Sequence, residues 1–248
     1  MRIDLTGKTA LITGSTEGIG YAIAQLLKDK GNKVIIAGRN VAKIKRAGEA
    51  LGVPALVCDV SKESDIRALV ERIKIEYPDL SVLVNNAGVA NLYKLGEDAG
   101  AFEKASYEFQ VNYFGPVLLT ELLLPILKNK TEACIINITS NVTFHPIVVL
   151  PTYSDTKAAL HSHTVALRLG LAKDTGIKVF EVMPSLVDTE ATKDMGGANG
   201  IQPREVAEDL VAGIQNNQYE IYVGETAQQR DAYFKNPIEA TVNFNKGL

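Results

Sequence analysis

Ser140, Tyr153 and Lys157 bring two hydroxyls and a cation into one stretch, 140–157, which reads SNVTFHPIVVLPTYSDTK. It follows the apolar run 134–138, CIINI, so a serine leaves the end of an expected strand, and the tyrosine and lysine open the next helix. Positions four apart share a helix face, so the phenol and the ammonium project the same way from neighbouring turns. A free phenol titrates near ~10 and is a poor base at neutral pH, whereas a cation beside it favours phenolate and brings it into acid–base range. The chemistry this pair supports is proton transfer to or from a carbonyl or alcohol oxygen. Taken alone, Tyr-x-x-x-Lys also arises on amphipathic helices as a half-buried ring and a solvated lysine.

Ser140 stands 13 positions before Tyr153. This Ser, Tyr-x-x-x-Lys spacing resembles that of the short-chain dehydrogenases/reductases, in the single-domain branch with chains of about this length. The resemblance extends to about Gly224, with further motifs in the family's order. It implies reversible hydride transfer between a nicotinamide dinucleotide and a carbonyl or secondary alcohol. Tyr153 would be the general acid/base, Lys157 would lower its pKa and bond the nicotinamide ribose, and Ser140 would steady the substrate oxygen. Asn112 would hold a water linking the lysine to solvent. Read from its neighbours alone, Asn112 is equally a satisfied core amide, with Gly115 and Pro116 after it disturbing the helix.

The elements that must position these groups follow in chain order. The run 8–13 (KTALIT) is apolar without alternation, as a strand buried on both faces is, and it leads into Gly14-Ser15-Thr16-Glu17-Gly18-Ile19-Gly20 and a helical pattern ending at Gly31. Glycines allow a tight turn and close approach to a pyrophosphate, and the helix N-terminus offers free N–H groups and partial positive charge. The Gly-x-x-x-Gly-x-Gly spacing of Gly14, Gly18 and Gly20 is the form seen in the resembled family.

A second strand, 33–37, ends in Gly38-Arg39-Asn40. NAD-selective sites place an acidic residue there for the ribose 2′-hydroxyl; here Arg39 offers a guanidinium suited to a 2′-phosphate, which favours NADP(H) over NAD(H), with Ser15 and Asn40 as helpers. Arg39 can alternatively stack on adenine or face solvent. After a helix over 41–51 and a strand over 54–58, the resemblance gives Asp59 and Val60 the adenine edge, while Asp59 reads equally as a helix-capping or turn residue, and Ser61 is an expected N-cap for the helix running to about Tyr77. A strand over 80–84 ends in Asn85-Asn86-Ala87-Gly88, matching the family's turn beside the cofactor. A long helix is expected over 101–127, apolar on more than one side. After the helix that opens with Tyr153, a strand over 178–183 delivers Pro184-Ser185-Leu186-Val187-Asp188-Thr189. By the resemblance, Pro184, Val187 and Thr189 meet the cofactor, and Ser185 departs from the usual glycine.

The segment 185–202 suits a mobile lid with Gly196-Gly197 as its hinge. A helix from Pro203 and a strand over 220–223 follow. The tail, 225–248, either packs across the pocket or a partner subunit, or is partly disordered. Val142, Phe144, His145, Val148, Val149 and Leu186 form the expected substrate lining, mostly apolar, although His145 also reads as a plain loop histidine.

With 248 residues and no repeat or linker, the chain reads as one domain over 1–248: an α/β, Rossmann-type, doubly wound parallel sheet with helices on both faces. The net charge is −3 with mixed signs, which argues against a nucleic-acid partner. No run reaches ~18 apolar residues and the start lacks a leader pattern, so no membrane partner and a cytoplasmic location are expected. Cys58 and Cys134 lie in apolar runs, and His161 and His163, two apart on a helix, do not make a metal pair; no metal is expected. By the resemblance and the broad apolar pattern, helices 101–127 and 153–173 join subunits into a homodimer or homotetramer. A catalytically silent dinucleotide sensor or scaffold is the reading in another class. The presence of serine, tyrosine and lysine together argues against it.

Overall fold

The computed structural model describes residues 3–247. Its strands are β1 Thr9–Thr13, β2 Lys33–Gly38, β3 Ala55–Val57, β4 Leu80–Asn85, β5 Ala133–Ile138, β6 Ile177–Pro184 and β7 Glu220–Val223. All pair in parallel, in the order β3-β2-β1-β4-β5-β6-β7. Every residue of β1, β4 and β5 is buried, which is why these strands read as continuous apolar runs rather than alternating ones.

Helices α1 Gly18–Asp29, α2 Val41–Leu51 and α7 Pro203–Gln215 cover one face, setting Ile23, Leu27, Ile44, Leu210 and Ile214 into a core with Ile12, Ile36 and Val182. On the other face, α3 Glu63–Glu76, α5 Gly115–Lys128 and α6 Pro151–Asp174 pack Ile66, Leu119, Leu127 and Leu171 with Leu11, Leu83 and Val179. The strand order reverses between β1 and β4, and the crevice at their carboxyl ends is where a doubly wound sheet receives a dinucleotide.

Beyond shifts of one or two residues at strand ends, the structure corrects the sequence reading at one helix and one N-cap, and decides the tail. The helix expected over 101–127 is α4 Ala101–Phe109 and α5, joined by a π turn at Gln110–Phe114. Pro116 lacks an N–H and crowds the preceding turn, and Gly115 lies so close to the Val60 carbonyl that a Cβ would come within 2.6 Å of it. By length and composition the stretch Ala101–Lys128 is apolar enough to cross a membrane, but it carries the buried Glu108 and Asn112 and lays Leu119, Leu123 and Leu127 on the sheet. It is a core helix. The N-cap of α3 is Lys62, not Ser61, because the Ser61 hydroxyl donates to Asp59 Oδ1 at 2.7 Å. The tail, whose disorder or packing was open, forms α8 Thr226–Lys235 and α9 Pro237–Phe244 and folds over the loop after Ser140.

The expected lid carries two 3-10 turns, Glu190–Met195 and Gly197–Asn199, and a bridge from Val187 to Ile201 ties its ends together. Only one of the two expected hinge glycines suits that part. Gly196 is left-handed with φ +78°, whereas Gly197 is wedged so that a Cβ would sit 2.5 Å from Thr192 Oγ1.

Candidate active site

Two chain ends create the centre of the site. β5 stops at Ile138 and delivers Ser140, while α6 starts at Pro151, whose missing N–H suits a first helical turn, and presents Tyr153 and Lys157. Lys157 is buried; its Nζ donates to the Ile138 carbonyl at 2.9 Å and lies 5.6 Å from the centre of the Tyr153 ring. The helix thus clamps its lysine onto the strand that carries the serine.

Electrostatics here run against the sequence expectation. Burial raises the Tyr153 phenol to about 12, opposed by the neighbouring Ser140 hydroxyl and reinforced by Glu108. Desolvation outweighs the neighbouring cation, whose ammonium is turned to a backbone carbonyl. Burial also lowers Lys157, to about 8, with Glu181 pulling the other way. The Tyr153 phenol is therefore protonated across the neutral range, next to a lysine that titrates just above it.

Asn112 is fully buried and satisfied. Its Oδ1 accepts from Val89 N at 2.9 Å, and its Nδ2 donates to Val89 O at 2.9 Å and to Thr156 Oγ1 at 3.0 Å. It splints the turn after β4 onto α6. A Cβ on Gly88 would lie 3.5 Å from Asn112 Oδ1 and 3.7 Å from Lys157 Nζ, so glycine, amide and ammonium meet at one point.

The glycine turn is built around Asn86. Its Nδ2 donates to Thr13 O at 2.9 Å and to Gly14 O at 3.0 Å, and Thr13 Oγ1 accepts from the backbones of Asn86 and Ala87, each at 3.1 Å. Contact is so close that a Cβ on Gly14 would lie 2.6 Å from Ala87 Cα, and one on Gly20 would lie 2.4 Å from Asn86 Nδ2. Gly18, with φ +60°, faces the Thr189 methyl, whose carbon would be 3.1 Å from a Cβ there. Glu17, the N-cap of α1, makes no side-chain cap, so the first N–H groups, including that of Ile19, are left for an anion. A dinucleotide pyrophosphate fits this cradle.

Just after β2, Arg39 is exposed and its guanidinium donates to the Tyr107 hydroxyl, 5.9 Å from that ring's centre. Ser15 cannot assist it as expected: the side chain is buried and its hydroxyl donates to Ile12 O at 2.9 Å. Asn40 spends its oxygen capping α2, accepting from Lys43 N at 2.9 Å. Lys43, which the sequence reading passed over, pairs with Glu17 at 3.2 Å across the same entrance. Asp59 is half-buried and accepts from Ser61; Val60 is buried against Gly115.

After β6, Pro184 and Val187 are buried, and Ser185 donates its N–H to Val223 O at 3.1 Å. The serine is accommodated because Gly224 opposite it has no Cβ; one placed there would lie 2.3 Å from Ser185 Oγ. Two expected lining residues are removed from the pocket by the tail. Phe144 packs with His161, Tyr233 and Phe234, and His145 is buried between Tyr233 and Phe244, with its Nε2 donating to Gln229 O at 2.7 Å.

Several polar residues of the site region escaped the sequence reading. Glu108 is fully buried and accepts from Asn91 and Thr152. Glu181, also fully buried, accepts from Thr139 Oγ1 at 2.6 Å and pairs with His161 Nδ1 at 2.9 Å. A signal existed for this last pair. His161 falls one turn after Lys157, and Glu181 is the one acidic residue in the apolar run VFEVMP.

Among known proteins, the family model described as short chain dehydrogenase matches residues 8–199. The uncharacterized oxidoreductase DltE of Bacillus subtilis (strain 168) is 37% identical over 234 residues, covering 92% of this chain and 92% of that protein. An uncharacterized oxidoreductase of Staphylococcus saprophyticus, SSP0419, is 31% identical and covers 86% of this chain and 93% of its own. Of solved structures, a short chain dehydrogenase from Burkholderia cenocepacia J2315 in complex with NADP superposes with a TM-score of 0.84 at 25% identity, covering 96% of this chain and 97% of that one. The 3-ketoacyl-(acyl-carrier-protein) reductase of Brucella melitensis, complexed with NADH, superposes with a TM-score of 0.81 at 28% identity, covering 90% and 100%.

Proposed function

This chain belongs to the short-chain dehydrogenase family of oxidoreductases, and on that premise we propose that it reduces a carbonyl, or oxidises the corresponding secondary alcohol, with NADP(H). The observation that carries the reading is the meeting of Ser140, Tyr153 and Lys157 at the carboxyl end of β5, beside a glycine cradle with no room for a side chain.

NADPH, when bound, supplies the hydride. Gly14, Gly18, Ile19 and Gly20 would hold its pyrophosphate; Asp59, Val60, Asn86, Ala87 and Gly88 would hold the dinucleotide beyond it; Pro184, Val187 and Thr189 would hold its other end. Tyr153 donates its proton to the substrate oxygen as charge develops there, and the Ser140 hydroxyl, whose proton points to Asn141 Oδ1 before substrate arrives, turns to steady that oxygen. Hydroxyls held at a partly desolvated site, beside the buried Ser140, are worth more than they would be in solvent. Lys157, as the cation, favours the phenolate that remains, and Asn112 keeps the lysine's surroundings in place. The substrate has apolar character, met by Val142, Val148, Val149 and Leu186, and the 185–202 segment closes over it.

The test is oxidation of NADPH against a panel of ketones and aldehydes, read as kcat/KM against pH. Reduction needs Tyr153 protonated and Lys157 charged. Since the phenol stays protonated up to about 12 and the lysine up to about 8, reduction holds a plateau and falls as pH rises through about 8. Alcohol oxidation, which needs phenolate, rises with pH instead. A reductive profile that climbs through pH 8 contradicts the assignment.

The same chain pairs with itself in this reading. Phe102, Phe114 and Leu169 are large apolar side chains left exposed on α4, the π turn and α6, and association through 101–127 and 153–173 would cover them. Sedimentation at micromolar concentration should give a dimer or tetramer; a monomer contradicts it.

A further inference from the structure

The tail does more than cover the loop. The Ser140 hydroxyl donates to Asn141 Oδ1 at 2.9 Å, and Asn141 Nδ2 donates to Gln229 Oε1, on α8, at 2.8 Å. Gln229 Nε2 in turn faces Glu225 Oε2 at 3.4 Å. A carboxylate only accepts, so Glu225 draws the amide's N–H₂ end and leaves the oxygen end of Gln229 toward Asn141. Asn141 must then present its own N–H₂ to Gln229 and its oxygen to Ser140. The chain Glu225–Gln229–Asn141–Ser140 has one direction, set at its far end.

The anchorage of this chain is independent of it. Gln229 O accepts from His145 Nε2, Asn245 clips α9 to the loop at Val148 N (2.8 Å) and Pro146 O (2.9 Å), and the His145 ring stacks on Phe244 with centroids 5.1 Å apart. Ser140 and Asn141 are both buried, so a misdirected amide there would leave polar atoms unpaired.

We propose that Gln229 is a positioning residue for the Ser140 hydroxyl, acting through Asn141, so that the C-terminal helix α8 aligns the active-site serine. The proposal rests on the carbonyl-reductase reading above. Gln229 does not touch substrate; its part is to fix which atom of Asn141 faces the serine, and thereby where the serine's oxygen and proton lie when Tyr153 transfers its own.

The experiment uses the full chain in four forms: wild type, Gln229→Leu, Ser140→Ala and the double variant. A fifth form exchanges the pair, Gln229→Glu with Glu225→Gln, which keeps an acceptor facing Asn141. Gln229→Leu should lower kcat about tenfold, the scale at which small misplacements act, with KM for NADPH unchanged. The exchanged pair should restore most of the loss. In the Ser140→Ala background the same leucine should change kcat by less than about twofold, because residues acting through one group are non-additive. Equal losses in both backgrounds, or an unaltered kcat in Gln229→Leu, overturn the proposal.

A crystal structure of Gln229→Leu needs no substrate. The expected result is a turned Asn141 amide and a displaced Ser140 Oγ. An unmoved Ser140–Asn141 pair overturns the proposal whatever the kinetics. Failure of the reductase reading is distinguishable: it shows as Tyr153→Phe matching wild type in every assay, a result that Gln229 does not enter.

Discussion

Replacing Tyr153 by phenylalanine should lower kcat for carbonyl reduction by about a thousandfold, the middle of the range for a positioned general acid, while NADPH binds within about a factor of two of wild type. In the proposed reaction the hydroxyl is the proton source, and among the described residues its neighbours are already engaged. Lys157 is turned to the Ile138 carbonyl, Ser140 donates its proton to Asn141, and Asn112 is engaged with Val89 and Thr156. The ring itself remains, so packing between the 150s helix and the loop after β5 is preserved, and the variant should keep its unfolding midpoint. Stopped-flow reduction and fluorescence titration of NADPH, run on the same preparation, separate chemistry from binding. Full turnover in the phenylalanine variant would remove Tyr153 from the reaction.

Arg39→Ala should weaken NADPH by about thirtyfold, corresponding to about 2 kcal/mol for a charged hydrogen bond, and leave NADH within about twofold. The guanidinium stands where NAD-selective sites carry a carboxylate, at the end of β2, and it is exposed. Its partner in the present structure is the Tyr107 hydroxyl, a neutral acceptor, so a phosphate dianion is the stronger competitor for the same N–H groups. Lys43 is partly neutralised by Glu17 and leaves Arg39 the main cation at that entrance. Equal binding of NADPH and NADH by wild type, or equal weakening of both in the variant, would show that Arg39 does not read the phosphate.

The features that the amino-acid sequence determines by itself follow from local geometry. The 8–13 run, the glycine turn and the helix after it are contiguous in the chain, so strand, cradle and helix N-terminus are all consequences of neighbouring residues. Tyr153 and Lys157 are four apart on one helix, which sets their common face wherever the helix lies. The alternation of buried strands with helices carried the doubly wound sheet in the same way, and matching residues 8–199 to the family agrees with it.

What required the tertiary structure depends on groups far apart in sequence. A cation four residues away was expected to lower the Tyr153 pKa. Yet burial by elements remote from it, together with Glu108, lifts the phenol to about 12. Ser15 looked available beside Arg39, but the turn that makes the cradle buries it against Ile12. Phe144 and His145 looked like pocket walls until Tyr233, Phe234 and Phe244 arrived from the tail. The tail's polar residues, Gln229 and Asn245, meet the catalytic loop across 88 and 97 positions. Spacing along the chain determines which groups share a helix face or a turn. Desolvation, and the partner each donor finally takes, are set by what packs on top, and only the folded chain decides that.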